Sequence, residues 1–182
     1  DEKGLKMSKS KGNALDPMPI IEKFGADTFR FWSASEVNHG NDFRCSEQKI
    51  ESTKKFLTKL WNVSRFLSSF PIVESAELAD TDKWIISELD KLVKDCKVGF
   101  DEYNFFIPAI AIREFTWNVF AAQYIEMAKA RAYGIGFSDA ERDGAIYTLH
   151  KVLSTLLKLL APITPFITDF LWQTLYSDKS IH

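Results

Sequence analysis

The sequence holds little that could staple the chain or ligate a metal. Of its 182 residues only two are cysteine. Cys45 and Cys96 stand far apart with no CxxC or Cys/His spacing, which argues against a disulfide framework and a zinc site. His39, His150 and His182 are isolated from one another, so no metal site is expected. No apolar run approaches the roughly 20 residues of a membrane span, and nothing near the start has the pattern of a signal peptide. A soluble, cytoplasmic protein with no membrane partner is therefore expected. From Ser46 onward no stretch alternates apolar and polar residues, which removes the usual signature of a sheet. An excess of one charge is missing too, since the formal net charge is only -2. That sum leaves nucleic acid open as a partner, because phosphate contacts need only a local basic face.

What is present is apolar and helical. Hydrophobic residues make up 46% of the chain and aromatics 14%, enough to build one sizeable core. Ile50, Leu57, Leu60, Trp61, Ser64 and Leu67 recur at spacings of three, four and seven, which predicts a helix from about Ser46 to Ser69, closed by Pro71. After the aperiodic segment PIVESAELADT, Asp80 or Thr81 caps a second helix carrying Ile85, Leu89, Leu92 and Cys96 and ending near Phe100. A third helix, rich in Phe, Trp and Ala, is expected from about Phe105 to Tyr133, with Pro108 in its first turn and the glycines of GIG at its end. SDAE, Ser138 to Glu141, has capping-box spacing for a fourth, with the stripe Ile146, Leu149, Leu153, Leu156 and Leu160. APITPF breaks the chain, and Thr164 with Pro165 opens a last short helix through Trp172 to Tyr176. Trp61, Trp84, Trp117 and Trp172 sit at helical spacing and are expected in the core. Several amphipathic helices on short loops make an antiparallel helical bundle, an all-α fold.

Residues 1–45 have a different character. Asp16 caps one short helix that Gly25 stops, Asp27 begins another, and EVNHGNDFRCS reads as a loop with room for one short strand. The division expected is 1–45 as the end of a larger unit and 46–182 as the bundle.

Almost at the start stands KMSKSKGN, Lys6 to Asn13. A flexible Ser/Gly/Lys loop suits phosphate chemistry, because backbone N–H groups and ammoniums can wrap a polyphosphate whose charge is shifting. The glycine spacing is not that of a Walker loop. The continuation adds Asp16-Pro17, Ile20-Ile21, Gly25-Ala26-Asp27 and Arg30 in order, and here the chain resembles the class I aminoacyl-tRNA synthetases at their KMSKS signature. KFLTKLWNVSRF, DKWIISEL and FTWNVFAAQYIEMAKARAY are most similar to the valine-specific branch, with the isoleucine branch as the runner-up. LLAPITPFITDFLWQTL is similar to a segment shared by these enzymes, with Asp169 where glutamate is usual.

The resemblance implies several expectations. The intact enzyme would join valine to ATP as an adenylate, with Mg²⁺ assisting, and pass it to valine tRNA. Lys6 and Lys9 would be catalytic, and Lys6, Met7, Ser8, Lys9 and Ser10 would bind ATP. Residues 1–45 would comprise the KMSKS loop and a short stem-contact segment, followed by an anticodon-binding bundle. The nucleotide-binding half with its HIGH signature, and the editing domain, would lie upstream of Asp1. This fragment alone would then be inactive in valine activation, would hold no cofactor, and is expected to be a monomer with a mobile KMSKS segment. A stand-alone tRNA-binding helical module without catalysis is the alternative from another class.

The helix from Ser46 carries Lys49, Lys54, Lys55, Lys59 and Arg65 against Glu47 and Glu51. With Leu57 and Trp61 turned inward, helix geometry places Lys59, Asn62 and Phe66 on another face with Arg65 at its margin. An aromatic ring and a guanidinium together offer an unstacked base a stacking surface and a donor fork. These four residues are the candidate tRNA-binding set, with Phe66 in the core as the competing placement.

Overall fold

Asp16 starts the first helix as expected: its carboxylate accepts from the Met18 N–H at 3.0 Å, and Pro17 occupies the first helical position. The computed structural model describes residues 3–14, 16–38, 40, 41 and 43–182. Helix α1 spans Pro17–Phe24 and stops at Gly25, whose φ of 90° lies where a side chain would be strained. The remaining helices are α2 (Ala26–Glu36), α3 (Glu47–Leu67), α4 (Asp80–Asp101), α5 (Phe106–Glu114), α6 (Ile125–Ala132), α7 (Asp139–Leu160) and α8 (Pro165–Leu175). Among the described residues there is no strand, including those described between α2 and α3, where the sequence left room for a short one. The fold class is all-α, as the periodicity predicts. No helix is long and apolar enough to cross a membrane among the described residues.

Two caps read from sequence close as predicted. Ser46 accepts from Lys49 N–H at 3.3 Å, and Ser138 pairs reciprocally with Glu141 at the start of α7. Two others differ. Helix α4 begins one residue earlier than a cap at Asp80, and two earlier than one at Thr81, would place it, with Ala79 as its cap residue, and the work of a cap is done from inside the helix by Asp82, which accepts from Ala79 N–H at 3.0 Å. Thr164 precedes α8, but its hydroxyl donates back to Leu160 C=O, leaving the helix start to another partner.

The third predicted helix is interrupted. Between α5 and α6 the backbone widens into a π-helix over Phe115–Tyr124. Its buried residues follow the wider turn: Phe115 and Phe120 are spaced by five, as are Thr116 and Ala121, and Ile125 at the start of α6 continues the first row. An α-helical register would swing one of these aromatics out, so the wider turn keeps them facing inward.

The main core joins α3, α4, α7 and the α5–α6 rod through residues such as Leu60, Ile85, Ile112, Tyr124, Leu149 and Leu153, and Phe31 of α2 enters it against Phe56, ring centroids 4.7 Å apart. A smaller cluster of Ile20, Phe24, Trp32, Cys45 and Ile50 fixes α1 and α2 to the start of α3. Both cysteines are thus core residues, and burial, with help from Asp95, pushes the Cys96 thiol up to about 12. The expectation for the tryptophans is corrected. Trp61, Trp84 and Trp117 are exposed and Trp172 is half-buried. On α3 the seam facing the core runs through Leu60 and Ser64, which leaves Trp61 on its flank.

Two polar clusters tie the elements together. Asp82, fully buried, accepts from both terminal nitrogens of Arg131 and from the Tyr124 hydroxyl, while Arg131 also donates to Thr81. Burial opposes the Asp82 charge, yet these donors and the Ala79 amide hold its carboxyl below the usual carboxylate range. On the opposite flank, Asp27 of α2 accepts from Ile167 N–H at 2.6 Å and Phe166 N–H at 3.4 Å, capping α8 from outside it. Arg30, one turn along, donates to Ile163 C=O at 2.9 Å and Pro162 C=O at 3.0 Å. One turn of α2 therefore satisfies both ends of the α7–α8 corner, negative charge on amides and positive charge on carbonyls.

Candidate nucleic-acid interface

The basic face of α3 begins where its ion pairs end. Lys23 reaches Glu47 at 2.6 Å and Lys49 reaches Glu36 at 2.5 Å, both near the start of the helix. Beyond them Lys54, Lys55, Lys59 and Arg65 make no ion pair among the described residues. Four unneutralised cations on about three turns form a face suited to phosphates.

Beside it runs a groove of about 170 Å³ between α3 and the start of α6, lined by Lys59, Asn62, Val63 and Phe66 on one wall and by Ile125 and Lys129 among others on the opposite wall. The structure thus brings three of the four predicted residues, Lys59, Asn62 and Phe66, into one groove. Arg65 is exposed and lies outside its lining, at the margin where helix geometry put it. Phe66 is half-buried and packs against the main core, so the two placements considered for it are both partly met. Its ring is edge-on to Phe70 at 5.3 Å and to Tyr133 at 6.3 Å, and the Lys129 ammonium lies 6.0 Å from its centroid. The ring is therefore held in place while one part still borders the groove.

Sequence reading missed Lys129, Ile125 and Glu126, which come from the opposite helix. Lys129 and Glu126 pair at 3.6 Å. The signal was a lysine one turn after an apolar run, but the π-helical segment before it shifts its direction, and that shift has no periodic mark in the sequence.

The other predicted site residues lie in the N-terminal loop. Ser8 caps a single 3₁₀ turn, Lys9–Lys11, by accepting from Lys11 N–H at 3.3 Å, and Gly12 closes it at φ 66°. Asn13 braces the loop: its Oδ1 accepts from Ser8 N–H at 3.0 Å, and its Nδ2 donates to Lys6 C=O at 3.4 Å. Ser8 and Ser10 hydroxyls meet at 3.2 Å. Lys6, Met7, Lys9 and Ser10 are exposed and Ser8 is half-buried. Lys6, Lys9 and Lys11 have no ion-pair partner among the described residues, so the loop presents three free ammoniums around a hydroxyl pair. The guanidinium of Arg44 adds a fourth charge nearby, its Nε 3.3 Å from where a β-carbon would stand on Gly4. No three metal-ligating side chains converge among the described residues.

A family model described as the anticodon-binding domain of tRNA ligase matches residues 82–182, and one described as tRNA synthetases class I (I, L, M and V) matches residues 1–46. The chain is 44% identical over its whole length to the valine–tRNA ligase of Pyrobaculum aerophilum and 40% to that of Aeropyrum pernix. It is 39% identical over 97% of its length to that of Ehrlichia ruminantium. It spans about a quarter of the length of these relatives, 22 to 23%. Among solved structures, the Mycobacterium tuberculosis methionyl-tRNA synthetase in complex with methionyl-adenylate superposes with a TM-score of 0.83 at 23% identity, over 97% of this chain and 36% of that one. The ternary LeuRS-tRNA-LeuAMS complex from Agrobacterium radiobacter gives 0.71 at 21% identity, over 100% of this chain and 22% of that one. These last two establish likeness of fold.

Proposed function

Because the chain belongs to the family of anticodon-binding domains of tRNA ligases, we propose that it acts as part of a valine–tRNA ligase, in which it recognises the anticodon of valine tRNA and supplies the lysine loop used in valine activation. The observation that carries this reading is the groove beside α3, where Lys59, free of ion pairs among the described residues, Asn62 and the braced ring of Phe66 face Lys129. A splayed base can stack on a ring held by its neighbours, and an amide can read its edge while lysines hold the phosphates. Arg65 would add its donor fork at the margin. Valine codons fix the last two anticodon bases as A and C, so recognition depends on those and tolerates change at the first.

The loop has the other task. Adenylate formation builds negative charge on the leaving pyrophosphate, and Lys9, with Lys6, would neutralise it while Met7, Ser8 and Ser10 complete the ATP contact. Asn13, which accepts from Ser8 N–H and donates to Lys6 C=O, ties together the part of the loop that carries the two lysines. ATP brings Mg²⁺ into such reactions as a charge partner for its phosphates. The described residues offer that ion no ligand cluster of their own. We read the protein as a monomer that works in the cytoplasm on valine, ATP and valine tRNA.

Titration of the chain with a valine tRNA transcript, by fluorescence anisotropy, tests the assignment. Phe66→Ala should weaken binding by roughly 1 to 3 kcal/mol per folded molecule if the ring carries a base. A transcript altered at the second or third anticodon position should bind the unsubstituted chain as weakly as the variant binds the normal one. Equal affinity for normal and altered anticodons would refute anticodon recognition by this groove.

A further inference from the structure

The other flank of α3 carries a second aromatic feature that the groove does not use. Trp61, 40% exposed, stacks on Phe170 of α8, which is 56% exposed, with ring centroids 5.6 Å apart and planes 24° from parallel. Phe166, one turn earlier on α8, is 68% exposed. Three large rings turned to solvent on adjacent helices are an unusual use of apolar surface unless something covers them. Beside them lies a groove of about 680 Å³, lined by Lys54, Thr58, Trp61 and Phe166 and floored by Leu57 and Ile167.

The electrostatics of the flank select the occupant. Lys54, Thr58, Trp61 and Arg65 follow one another at spacings of four, three and four, so they form a single stripe along α3. Neither Lys54 nor Arg65 has an ion-pair partner among the described residues. The acidic group that borders the groove, Asp27, is engaged by two backbone amides of α8. The flank thus combines unneutralised cations with stacked rings, and it is continuous around α3 with the Lys59, Asn62 and Phe66 face.

The geometry points to a second RNA-stacking platform: the Trp61–Phe170 pair, with Lys54 and Arg65, receives nucleotides of the same tRNA outside the anticodon triplet, through a ring face and phosphate contacts that ignore base identity. This rests on the proposed recognition of tRNA by the α3 groove and extends it to a contact of a different kind. Stacking on a ring is tolerant of sequence because every base offers a π-face, and lysine contacts to phosphate carry no base information. Recognition would then divide across one helix, with discrimination on the Phe66 side and general grip on the Trp61 side.

The test uses the 182-residue chain with a valine tRNA transcript and a second transcript altered at the last two anticodon positions. Trp61→Leu and Phe170→Leu should each weaken both transcripts by the same factor, about tenfold, whereas Phe66→Ala should act mainly on the normal one. Lys54→Gln, a surface change that spares the rings, should lower the slope of log affinity against log salt by about 0.7 to 0.9. It keeps the test decisive if an aromatic variant fails to fold. Binding that Trp61→Leu, Phe170→Leu and Lys54→Gln leave unchanged, while Phe66→Ala still weakens it, overturns the platform alone. No binding by the unsubstituted chain overturns both readings. A dimer that Trp61→Leu dissociates without altering RNA affinity would assign the face to a second copy and overturn the platform as well.

Discussion

Arg131 closes both terminal nitrogens of its guanidinium on the carboxylate of Asp82, 2.5 and 2.9 Å away, and joins the last turn of α6 to the first turn of α4. The Tyr124 hydroxyl completes the carboxylate's shell at 2.7 Å. Removing either charge leaves the other buried without compensation. Arg131→Ala or Asp82→Ala should each cost about 3 to 5 kcal/mol. Urea unfolding monitored by circular dichroism measures it, and a loss under 1 kcal/mol would show that water replaces the missing partner. Asp82→Asn should cost less than Asp82→Ala, because the amide oxygen still accepts.

Asp27 caps a helix to which it does not belong. Asp27→Ala should destabilise the chain by about 1 kcal/mol, up to about 2, the range for loss of a capping side chain. Asp27→Ser should recover little, since a shorter side chain cannot span from α2 to the amides of Phe166 and Ile167. Equal stability of Ser and Asp at this position would mean that the α8 start is satisfied by solvent.

The ring of His150 is buried between the Tyr176 hydroxyl at 3.1 Å and the Phe70 carbonyl at 3.3 Å. Burial lowers its pKa below the ordinary 6.5, with the contact to Phe70 C=O opposing. The unfolded chain therefore takes up the proton before the folded one does. The contribution of the neutral ring to stability is whole above about pH 6.5 and falls as pH drops from there through the folded value. His150→Gln should flatten that part of the stability-versus-pH curve between pH 7.5 and 5. A curve of unchanged slope in the variant would assign the acid sensitivity elsewhere.

In the full-length ligase of the proposed function, Lys9→Ala should slow adenylate formation about a hundredfold or more, the scale for loss of one charge-stabilising donor. Valine affinity should barely change, because the ammonium acts on charge that develops in the transition state. Pre-steady-state adenylate formation separates the two quantities. Equal losses in both would mean that the loop shapes the valine pocket.

Much of the fold was legible because it is local. Ser46, Asp16 and the Ser138–Glu141 pair signal helix starts within four residues of themselves, and the stripes Ile85 to Cys96 and Ile146 to Leu160 mark the buried faces of α4 and α7 by spacing alone. The loop from Lys6 to Asn13 stood out as a local run of lysine, serine and glycine, but the role proposed for it comes from the family resemblance, and the α3 set came from helical spacing. What failed involved two elements at once. Trp61 fits the α3 stripe by spacing, yet Leu60 takes the seam, and only the position of α8 makes Trp61 a partner of Phe170. The widening at Phe115–Tyr124 keeps Phe115, Phe120 and Tyr124 facing inward together, a packing demand with no local code. Asp82 and Arg131 lie 49 residues apart, so neither predicts the other.

The bonds that Asp27 and Arg30 make to the α7–α8 corner close loops of 132 to 140 residues. Closing so long a loop costs chain entropy before any bond forms, and such contacts slow folding. As the ribosome releases the chain, α2 emerges before the corner, and its charges wait for their partners: Arg30 for Pro162 and Ile163, Asp27 for Phe166 and Ile167. Helix α2 is thus made well before the corner on which it docks. A chain stopped before Pro162 would carry a finished α2 whose carboxylate and guanidinium face water, and those two groups report by their protection whether synthesis reached α8.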